Sequence, residues 1–251
     1  MSVVRCRFAP PLRAAAGRRI AFVSDLHYRA ASFPAQRLDA ILKAIGDFSP
    51  DLILFGGDTV FDAETLDEIP PLLERFAALA PFRCAVTGNW EQGKTWIPKR
   101  EWRSIFLDGG VELLLNERFR LPWLDLYGAE DPARGELALP SEEDWEAGKL
   151  RIFLTHRPDT AIIAEGRGCV FHLAFTGHTH GGQWRLPLVG ALWSHSLYGR
   201  RFDSGCFGNR ESGARLIVGR GLGEGSLPWR FLCSRELVLA EFAAPGAGGV
   251  S

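Results

Sequence analysis

The chain has 251 residues, with 29 lysines and arginines against 30 aspartates and glutamates, and a formal net charge of −1 at pH 7. Its hydrophobic fraction of 46% and charged fraction of 24% are those of an average globular protein. The near-zero charge gives no electrostatic footprint for nucleic-acid binding, and no apolar run reaches the roughly 20 residues of a transmembrane helix. Composition thus excludes a fibre, a disordered chain and a membrane span, and it is silent about chemistry.

The cysteines favour free thiols and a cytoplasmic location. They number five, an odd count, and no two form a C-x-x-C pair, so neither a disulfide framework nor a zinc ribbon is indicated. Residues 1–24 contain five arginines and no acidic residue. This segment fits a solvent-exposed edge strand, or a basic face toward anionic lipid, so a peripheral membrane contact stays open.

The first half of the chain alternates predicted strands with predicted helices. Strands are predicted at 20–24, 51–55 and 82–87. Between them, two sets of apolar residues have the spacing of a helix that covers one face of a sheet. We expect Pro70 and Pro71 to break or delay the second helix. The rhythm predicts parallel strands with crossover helices. The two sets are Leu38, Ile41, Leu42, Ile45 and Ile69, Leu72, Leu73, Phe76.

The second half is richer in strands, predicted at 111–115, 119–121, 124–127, 151–155, 171–176, 216–218 and 237–242. A strand-rich half beside an alternating half predicts two packed sheets with helices outside. Residues 199–213 are predicted to be a loop. No linker divides the chain, so we expect a single domain over residues 1–244 and a disordered tail over 245–251, where small residues dominate.

Five predicted strands end in residues that bind metals. The carboxyl ends of strands in open α/β sheets converge on a crevice where ligands bind, so these side chains are expected to meet at one rim. Each fragment alone is a common turn, and only the ordered set is specific. Two histidines outside the pattern, His172 and His195, are expected to be structural. The rim residues are Asp25, His27, Asp58, Asn89, His156, His178 and His180.

This set of carboxylate, amide and imidazole groups without thiolate suits Mn²⁺, Fe, Zn²⁺ or Mg²⁺. A single ion does not need seven such ligands. Two ions about 3.5–4 Å apart would share a bridging carboxylate and hold a hydroxide between them. The glycines at 56, 57, 88, 177, 181 and 182 let the backbone turn sharply and approach ions or an anionic substrate.

In order, the motifs D-x-H, G-G-D, G-N-x-E, T-H and G-H-T-H-G-G-Q resemble those of the calcineurin-like metallophosphoesterase superfamily, and the resemblance covers residues 20–242. The stretches GHTHGGQWRLP (177–187) and VGRGLGEGSLP (218–228) further resemble a bacterial branch. Its members act on phosphodiesters or on the pyrophosphate bond of UDP-2,3-diacylglucosamine.

The resemblance implies a four-layer α/β/β/α sandwich of two mixed sheets flanked by helices, with two divalent metal ions, manganese being the first choice. It also implies a phosphohydrolase in which a metal-bound hydroxide attacks phosphorus in line. Carried over by motif, the first metal takes Asp25, His27, Asp58 and His180. The second takes Asp58, Asn89, His156 and His178, with Asp58 as the bridge.

One position departs from the family pattern. The family has histidine after Gly-Asn, where it steadies the phosphoryl group or protonates the leaving oxygen, and this chain has Trp90. An indole has one N–H donor and cannot act as a general acid at neutral pH. We therefore expect a phosphodiester or pyrophosphate substrate with a good leaving group, and keep a phosphomonoesterase as the alternative.

Several further residues have two interpretations each. Arg157 is expected either to contact substrate phosphate, which would place it with Asp58, Asn89 and Trp90 among the catalytic residues, or to form a salt bridge. Glu91 is expected to orient a metal ligand or to relay a proton. Glu130 and Asp131 are additional candidates for the rim.

Aromatic residues follow the third strand and the last histidine pair. They predict an apolar mouth for a lipid-linked or aromatic phosphate ester, or else simply the packing of long loops. Two other functions fit parts of the pattern: a non-catalytic metal-binding scaffold of the same fold, and a single-metal oxygenase or isomerase. Oligomeric state is not readable from the sequence. The aromatic residues are Trp90, Trp96, Trp102, Trp184, Trp193, Tyr198, Phe202 and Phe207.

Overall fold

A computed structural model of the chain describes residues 1–9, 12–93, 95, 97–132, 135–225 and 227–243. The helices are α1 (Ala35–Phe48), α2 (Ile69–Ala77), α3 (Asn89–Gly93), α4 (Lys99–Asp108) and α5 (Pro158–Gly166). The strands are β1 (Ser2–Phe8), β2 (Arg19–Val23), β3 (Leu52–Phe55), β4 (Phe82–Ala85), β5 (Glu112–Leu113), β6 (Glu117–Leu121), β7 (Leu124–Gly128), β8 (Leu150–Leu154), β9 (Leu173–Thr176), β10 (Arg185–Leu186), β11 (Gly190–Ala191), β12 (Gly205–Gly208), β13 (Arg215–Val218) and β14 (Glu236–Phe242).

Two six-stranded mixed sheets form the centre of the fold. The first has the order β1-β14-β2-β3-β4-β5 and the second β12-β13-β9-β8-β7-β6. Helices α1, α2 and α4 cover the outer face of the first sheet, and α5 covers that of the second. Apolar side chains fill the space between the sheets, where the Phe22 and Phe175 rings lie 5.3 Å apart. The predicted four-layer α/β/β/α sandwich is confirmed.

The alternating first half folds as its pattern predicts. Strands β2, β3 and β4 are parallel, and α1 buries Leu38, Ile41 and Ile45 against them. The expectation for Pro70 and Pro71 is wrong, because α2 begins at Ile69 and both prolines lie in its first turn. A first-turn residue has no intrahelical partner for its N–H, so proline is tolerated there.

The second half differs from its pattern in two places. Strand β14 returns to the first sheet, where it lies between β1 and β2 and runs antiparallel to β2. Residues 199–213 are not only a loop, because they include a 3₁₀ turn at Gly199–Phe202 and strand β12, which pairs antiparallel with β13. The position of β14 comes from long-range backbone pairing, and β12 depends on its pairing with β13; the local apolar pattern encodes neither.

Residues 245–251, for which a disordered tail is predicted, and Trp96 lie outside the described part of the chain. Within the described residues, no helix combines the length and apolar character that crossing a bilayer requires.

Candidate metal centre

Six of the seven predicted metal ligands form two groups at the carboxyl ends of the strands. Asp25, His27 and His180 form the first group, which follows β2 and β9. The second group, Asp58, His156 and His178, follows β3, β8 and β9. In each group the candidate ligand atoms lie within 4.8 Å of one another, and all six residues are buried.

Asp58 belongs to the second group and also approaches the first. Its Oδ2 is 3.7 Å from His27 Nε2 and 3.3 Å from His156 Nε2. The seventh predicted ligand, Asn89, is the first residue of α3, and its Oδ1 is 3.0 Å from His156 Nε2. The structure therefore brings all seven predicted ligands together and puts a carboxylate where a shared ligand is needed. Their assignment to individual ions stays a prediction.

The backbone at the site is unusual, because five of these residues have positive φ angles between 43° and 69°. Left-handed conformations are uncommon for non-glycine residues, and such strain concentrates at functional sites. Neighbouring glycines allow the close packing, since a Cβ at Gly88 would overlap the Asp58 carboxylate and one at Gly177 would overlap that of Asp25. The five positive-φ residues are Asp25, His27, Asp58, His178 and His180.

The electrostatics of the site favour neutral imidazoles at three positions. Burial lowers the pKa of His27 to about 4 and takes the pKa values of His178 and His180 well below the ordinary value. Neutral imidazole is the form that binds a metal. These three histidines therefore offer lone pairs at neutral pH.

The other titratable groups of the site, two aspartates and one histidine, indicate that the site favours positive charge. Burial raises the pKa of Asp25 to about 6. At His156 burial acts to lower the pKa, but the charge of Asp58 and its hydrogen bond outweigh burial and raise it to about 10. At Asp58 burial acts upward, yet the His156 and His27 imidazoles leave its pKa lowered. Buried carboxylates need compensating charge, and a divalent cation bound by these residues would supply it.

Distances between ring nitrogens also fit a cation. His27 Nε2 lies 3.1 Å from His180 Nε2, and His178 Nδ1 lies 3.0 Å from His156 Nε2. Ligands bound at about 2.0–2.1 Å to one ion lie about 3.0–3.4 Å from each other. His156 Nδ1 is 2.8 Å from the carbonyl oxygen of Gly56. Donation of the Nδ1–H there leaves Nε2 as the ring nitrogen that faces the site, where a bound cation would displace its proton.

Glu91 holds the loops that carry the ligands. Its fully buried carboxylate accepts hydrogen bonds from the backbone N–H groups of Asp58, Thr59, Val60 and Gly88, at 2.6–3.2 Å. Of the two interpretations offered by the sequence, these contacts favour orientation of a ligand. Burial, then the charge of Asp58, raises the pKa of Glu91 to about 7.

Trp90 lies beside the first group of ligands. Its backbone N–H donates to Asp58 Oδ1 at 2.8 Å. The indole packs edge-on against the His27 ring, with centroids 4.3 Å apart, and contacts Phe61 at 5.5 Å. The tryptophan thus covers the ligand cluster from one side.

The other candidates at the rim differ in their surroundings. Arg157 Nε donates to Asp131 Oδ2 at 2.7 Å, so the salt bridge exists, although about a quarter of the arginine side chain stays exposed. The Glu130 carboxylate forms an ion pair with Lys99 and accepts a hydrogen bond from Asn116.

The two histidines outside the motif also differ. His172 accepts a hydrogen bond from the Arg151 N–H at 2.9 Å, as a structural histidine does. His195 departs from the expectation, because it lies on the wall of the cavity beside the ligands, and its ring centroid is 5.8 Å from that of His178.

A cavity of about 380 Å³ opens beside the ligands, and Asp58, Asn89, His178 and His180 form part of its wall. Trp90, Trp184 and Trp193 line it as the aromatic pattern predicts. Trp102 does not line it, because this side chain is buried between the first sheet and its helices, where its indole N–H donates a hydrogen bond to the Glu91 carbonyl. Phe202 and Phe207 pack against the core of the second sheet.

Besides His195, the cavity wall contains Leu192 and Leu227, which were not anticipated from the sequence. Leu227 lies in a segment before β14, and the only sequence signal there is the stretch GEGSLP, which resembles the bacterial branch. A leucine in a loop carries no signal for a ligand cavity until the fold brings it there.

The chain is similar in sequence to known proteins. The sequence pattern of the family described as calcineurin-like phosphoesterase matches residues 18–182. Phosphodiesterase YaeI of Escherichia coli is 30% identical over 236 residues, which cover 90% of this chain and 83% of that protein. The uncharacterized metallophosphoesterase YkuE of Bacillus subtilis is 29% identical over 234 residues, which cover 89% of this chain and 78% of the relative.

Solved structures share the fold. A dimetal phosphatase from Danio rerio superimposes with a TM-score of 0.58 at 11% identity, covering 91% of this chain and 93% of that one. The protein TT1561 of Thermus thermophilus gives a TM-score of 0.50 at 12% identity, covering 82% of this chain and 91% of that one. At these low sequence identities, the structural similarity shows a shared fold and nothing about function.

Proposed function

The chain belongs to the calcineurin-like phosphoesterase family, and from this premise we propose that it is a hydrolase with two metal ions that cleaves a phosphodiester or pyrophosphate bond. The family acts on phosphoesters with divalent metal ions, and two candidate ligand groups are present. The observation that carries the proposal is the Asp58 carboxylate, which lies within 4 Å of a histidine of each group, at the wall of a cavity large enough for a substrate.

In this proposal Asp25, His27 and His180 hold one ion, Asn89, His156 and His178 hold the other, and Asp58 bridges them. Bound divalent cations lower the pKa of a coordinated water and neutralise phosphate oxygens. Glu91 keeps Asp58 and Gly88 in place through their N–H groups. The donor set suits Mn²⁺ first, with Fe, Zn²⁺ and Mg²⁺ as other occupants.

The side chain at position 90, Trp90, indicates which kind of leaving group suits the proposed reaction. An indole cannot protonate a departing oxygen, and losing general acid catalysis costs about 10²–10⁴-fold. We infer a substrate whose leaving group needs no proton, such as a phosphate or a phenolate. The exposed part of Arg157, next to His156 and fixed by Asp131, is proposed to contact a phosphate oxygen.

The substrate is proposed to carry an apolar group, aromatic or lipid, next to the scissile phosphate. Trp184, Leu192, Trp193 and Leu227 on the cavity wall support this. The free cysteines support a cytoplasmic location, since reduced thiols are usual there.

The test is a panel of a p-nitrophenyl diester, a nucleotide pyrophosphate and phosphomonoesters, assayed with Mn²⁺. We expect the diester or the pyrophosphate to be hydrolysed with a higher kcat/KM than alkyl phosphomonoesters. Equal kcat/KM for p-nitrophenyl and alkyl esters would refute the role given to Trp90.

Two alternatives have distinct outcomes in the same panel. Preference for alkyl phosphomonoesters would make the chain a phosphomonoesterase. Full metal loading with no hydrolysis of any substrate would make it a metal-binding scaffold.

A further inference from the structure

Exposed apolar side chains concentrate beside the cavity. We name residues 186–198 and 227–232 the apolar rim. Of the sixteen large hydrophobic side chains that are exposed among the described residues, eleven belong to it. Leu188 is fully exposed, Leu197 is 84% exposed and Trp193 is 67% exposed. The eleven are Leu186, Leu188, Val189, Leu192, Trp193, Leu197, Tyr198, Leu227, Trp229, Phe231 and Leu232.

Residues 183–185, just before the first segment of the apolar rim, contact the second segment. The Arg185 N–H donates to the Phe231 carbonyl at 2.9 Å, and the Phe231 N–H donates to the Gln183 carbonyl at 2.9 Å. The Trp184 and Trp229 rings lie 4.1 Å apart. Hairpin β10–β11 projects Leu188 at its tip, with a φ of 66°. Because Leu192, Trp193 and Leu227 also line the cavity, the apolar rim borders the cavity beside the metal centre.

The chain segments that carry the apolar rim contain charge of one sign, whereas the acidic residues that contact them, Asp159, Asp203 and Glu224, lie outside these segments. Residues 183–202 and 227–235 contain five arginines and no aspartate or glutamate. Arg185 and Arg235 pair with Asp203 and Glu224. Arg200 and Arg201 are exposed; Arg200 donates to the carbonyls of residues 189 and 191, and Arg201 lies over a phenylalanine ring. Their charges therefore face solvent at the border of the apolar surface.

We propose that the apolar rim docks the protein on an anionic lipid bilayer. Exposed leucine and tryptophan side chains beside arginines are the composition of surfaces that lie in the bilayer interface. Apolar burial and attraction of the arginines to anionic headgroups act together there. A second copy of this chain fits less well, because pairing would bring the arginines of both copies together.

Docking would place the cavity entrance against the membrane. A phosphate ester with a lipid tail could then reach the metal centre without leaving the bilayer. This consequence rests on the proposed function, whereas docking itself does not. Vesicle binding and hydrolysis are therefore measured separately.

The test is co-sedimentation of the full chain with vesicles of phosphatidylcholine mixed with phosphatidylglycerol, and with vesicles of phosphatidylcholine alone. We expect tighter binding to the anionic vesicles, weakened by salt. The double variant Leu188→Asn/Leu197→Ser removes two exposed side chains, and asparagine tolerates the left-handed backbone at 188. It should bind at least about tenfold more weakly.

Leu107→Ser is the matched control, because Leu107 is a 61% exposed leucine on α4, outside the apolar rim. It should leave vesicle binding unchanged. Hydrolysis of a soluble p-nitrophenyl diester by the double variant should also be unchanged, which shows that it is folded. Asp58→Asn should still bind vesicles, which separates docking from catalysis.

Three outcomes overturn the proposal. The first is that the wild-type chain fails to bind anionic vesicles. The second is that Leu107→Ser weakens vesicle binding as much as the double variant does. In the third, sedimentation velocity finds a dimer that the double variant abolishes while vesicle binding is absent. That result would assign the apolar rim to contact between two copies.

Discussion

The metal centre and the apolar rim are neighbours built in opposite ways. The metal centre is buried, follows the ends of long-range paired strands, and is held by left-handed residues and by the hydrogen bonds of Glu91. The apolar rim is carried by a hairpin of two-residue strands and a loop before β14, with its side chains in solvent. The proposed chemistry requires side chains fixed in place, whereas the proposed docking requires exposed apolar surface.

The largest expected effect is that of metal removal, which should act on the metal centre and not on the apolar rim. Chelation should abolish hydrolysis of a p-nitrophenyl diester and leave vesicle binding intact, because the cations act only at the buried centre. Activity assays before and after EDTA treatment, with Mn²⁺ added back, measure this. Hydrolysis that persists in the metal-free chain would contradict the account.

The second effect changes chemistry at the border of the two regions. Trp90→His supplies a side chain that can protonate a leaving oxygen, so kcat/KM for an alkyl phosphomonoester should rise by about 10²-fold. The control is Trp90→Phe, which keeps an aromatic ring without a titratable proton and should give no gain. An equal gain in kcat/KM in both variants would show that the smaller side chain, and not proton donation, causes the gain.

A third, smaller effect concerns the hydrogen bonds that hold the metal loops. Glu91→Gln replaces a carboxylate oxygen by an NH₂ group that faces backbone N–H donors. We expect about 10–100-fold weaker metal affinity and a loss of about 1–3 kcal/mol in the free energy of unfolding. Metal titration and urea unfolding give the two values. Unchanged metal affinity would mean that Glu91 does not position Asp58.

The smallest effect is expected in the apolar rim. Leu188→Asn should change the free energy of unfolding by no more than about 0.5 kcal/mol, because the side chain is fully exposed. Trp102→Ala is the contrasting core variant and should cost about 3–5 kcal/mol. Urea unfolding compares the two. A large loss in Leu188→Asn would mean that the rim supports the fold.

The two regions also differ in how far the sequence predicts them. The seven candidate ligands follow directly after strands with clear apolar runs, so local motifs were sufficient to place them at one rim. Strand β14 could not be placed from its own residues, since its position depends on pairing with β1 and β2. His195 and Leu227 gave no signal either, because neither belongs to a motif and only the folded loops bring them to the cavity. The extent of the domain and the state of the tail stay predictions.

The central claim is that Asp58 joins two metal ions into one centre. Metal content by mass spectrometry, measured on the Mn²⁺-loaded wild-type chain and on Asp58→Asn together with diester hydrolysis, tests it most directly. We expect about two ions per chain in the wild type. In the variant we expect a lower metal content and a kcat that is at least about 10²–10³-fold lower. One ion or none in the wild type, or full activity in Asp58→Asn, would contradict it.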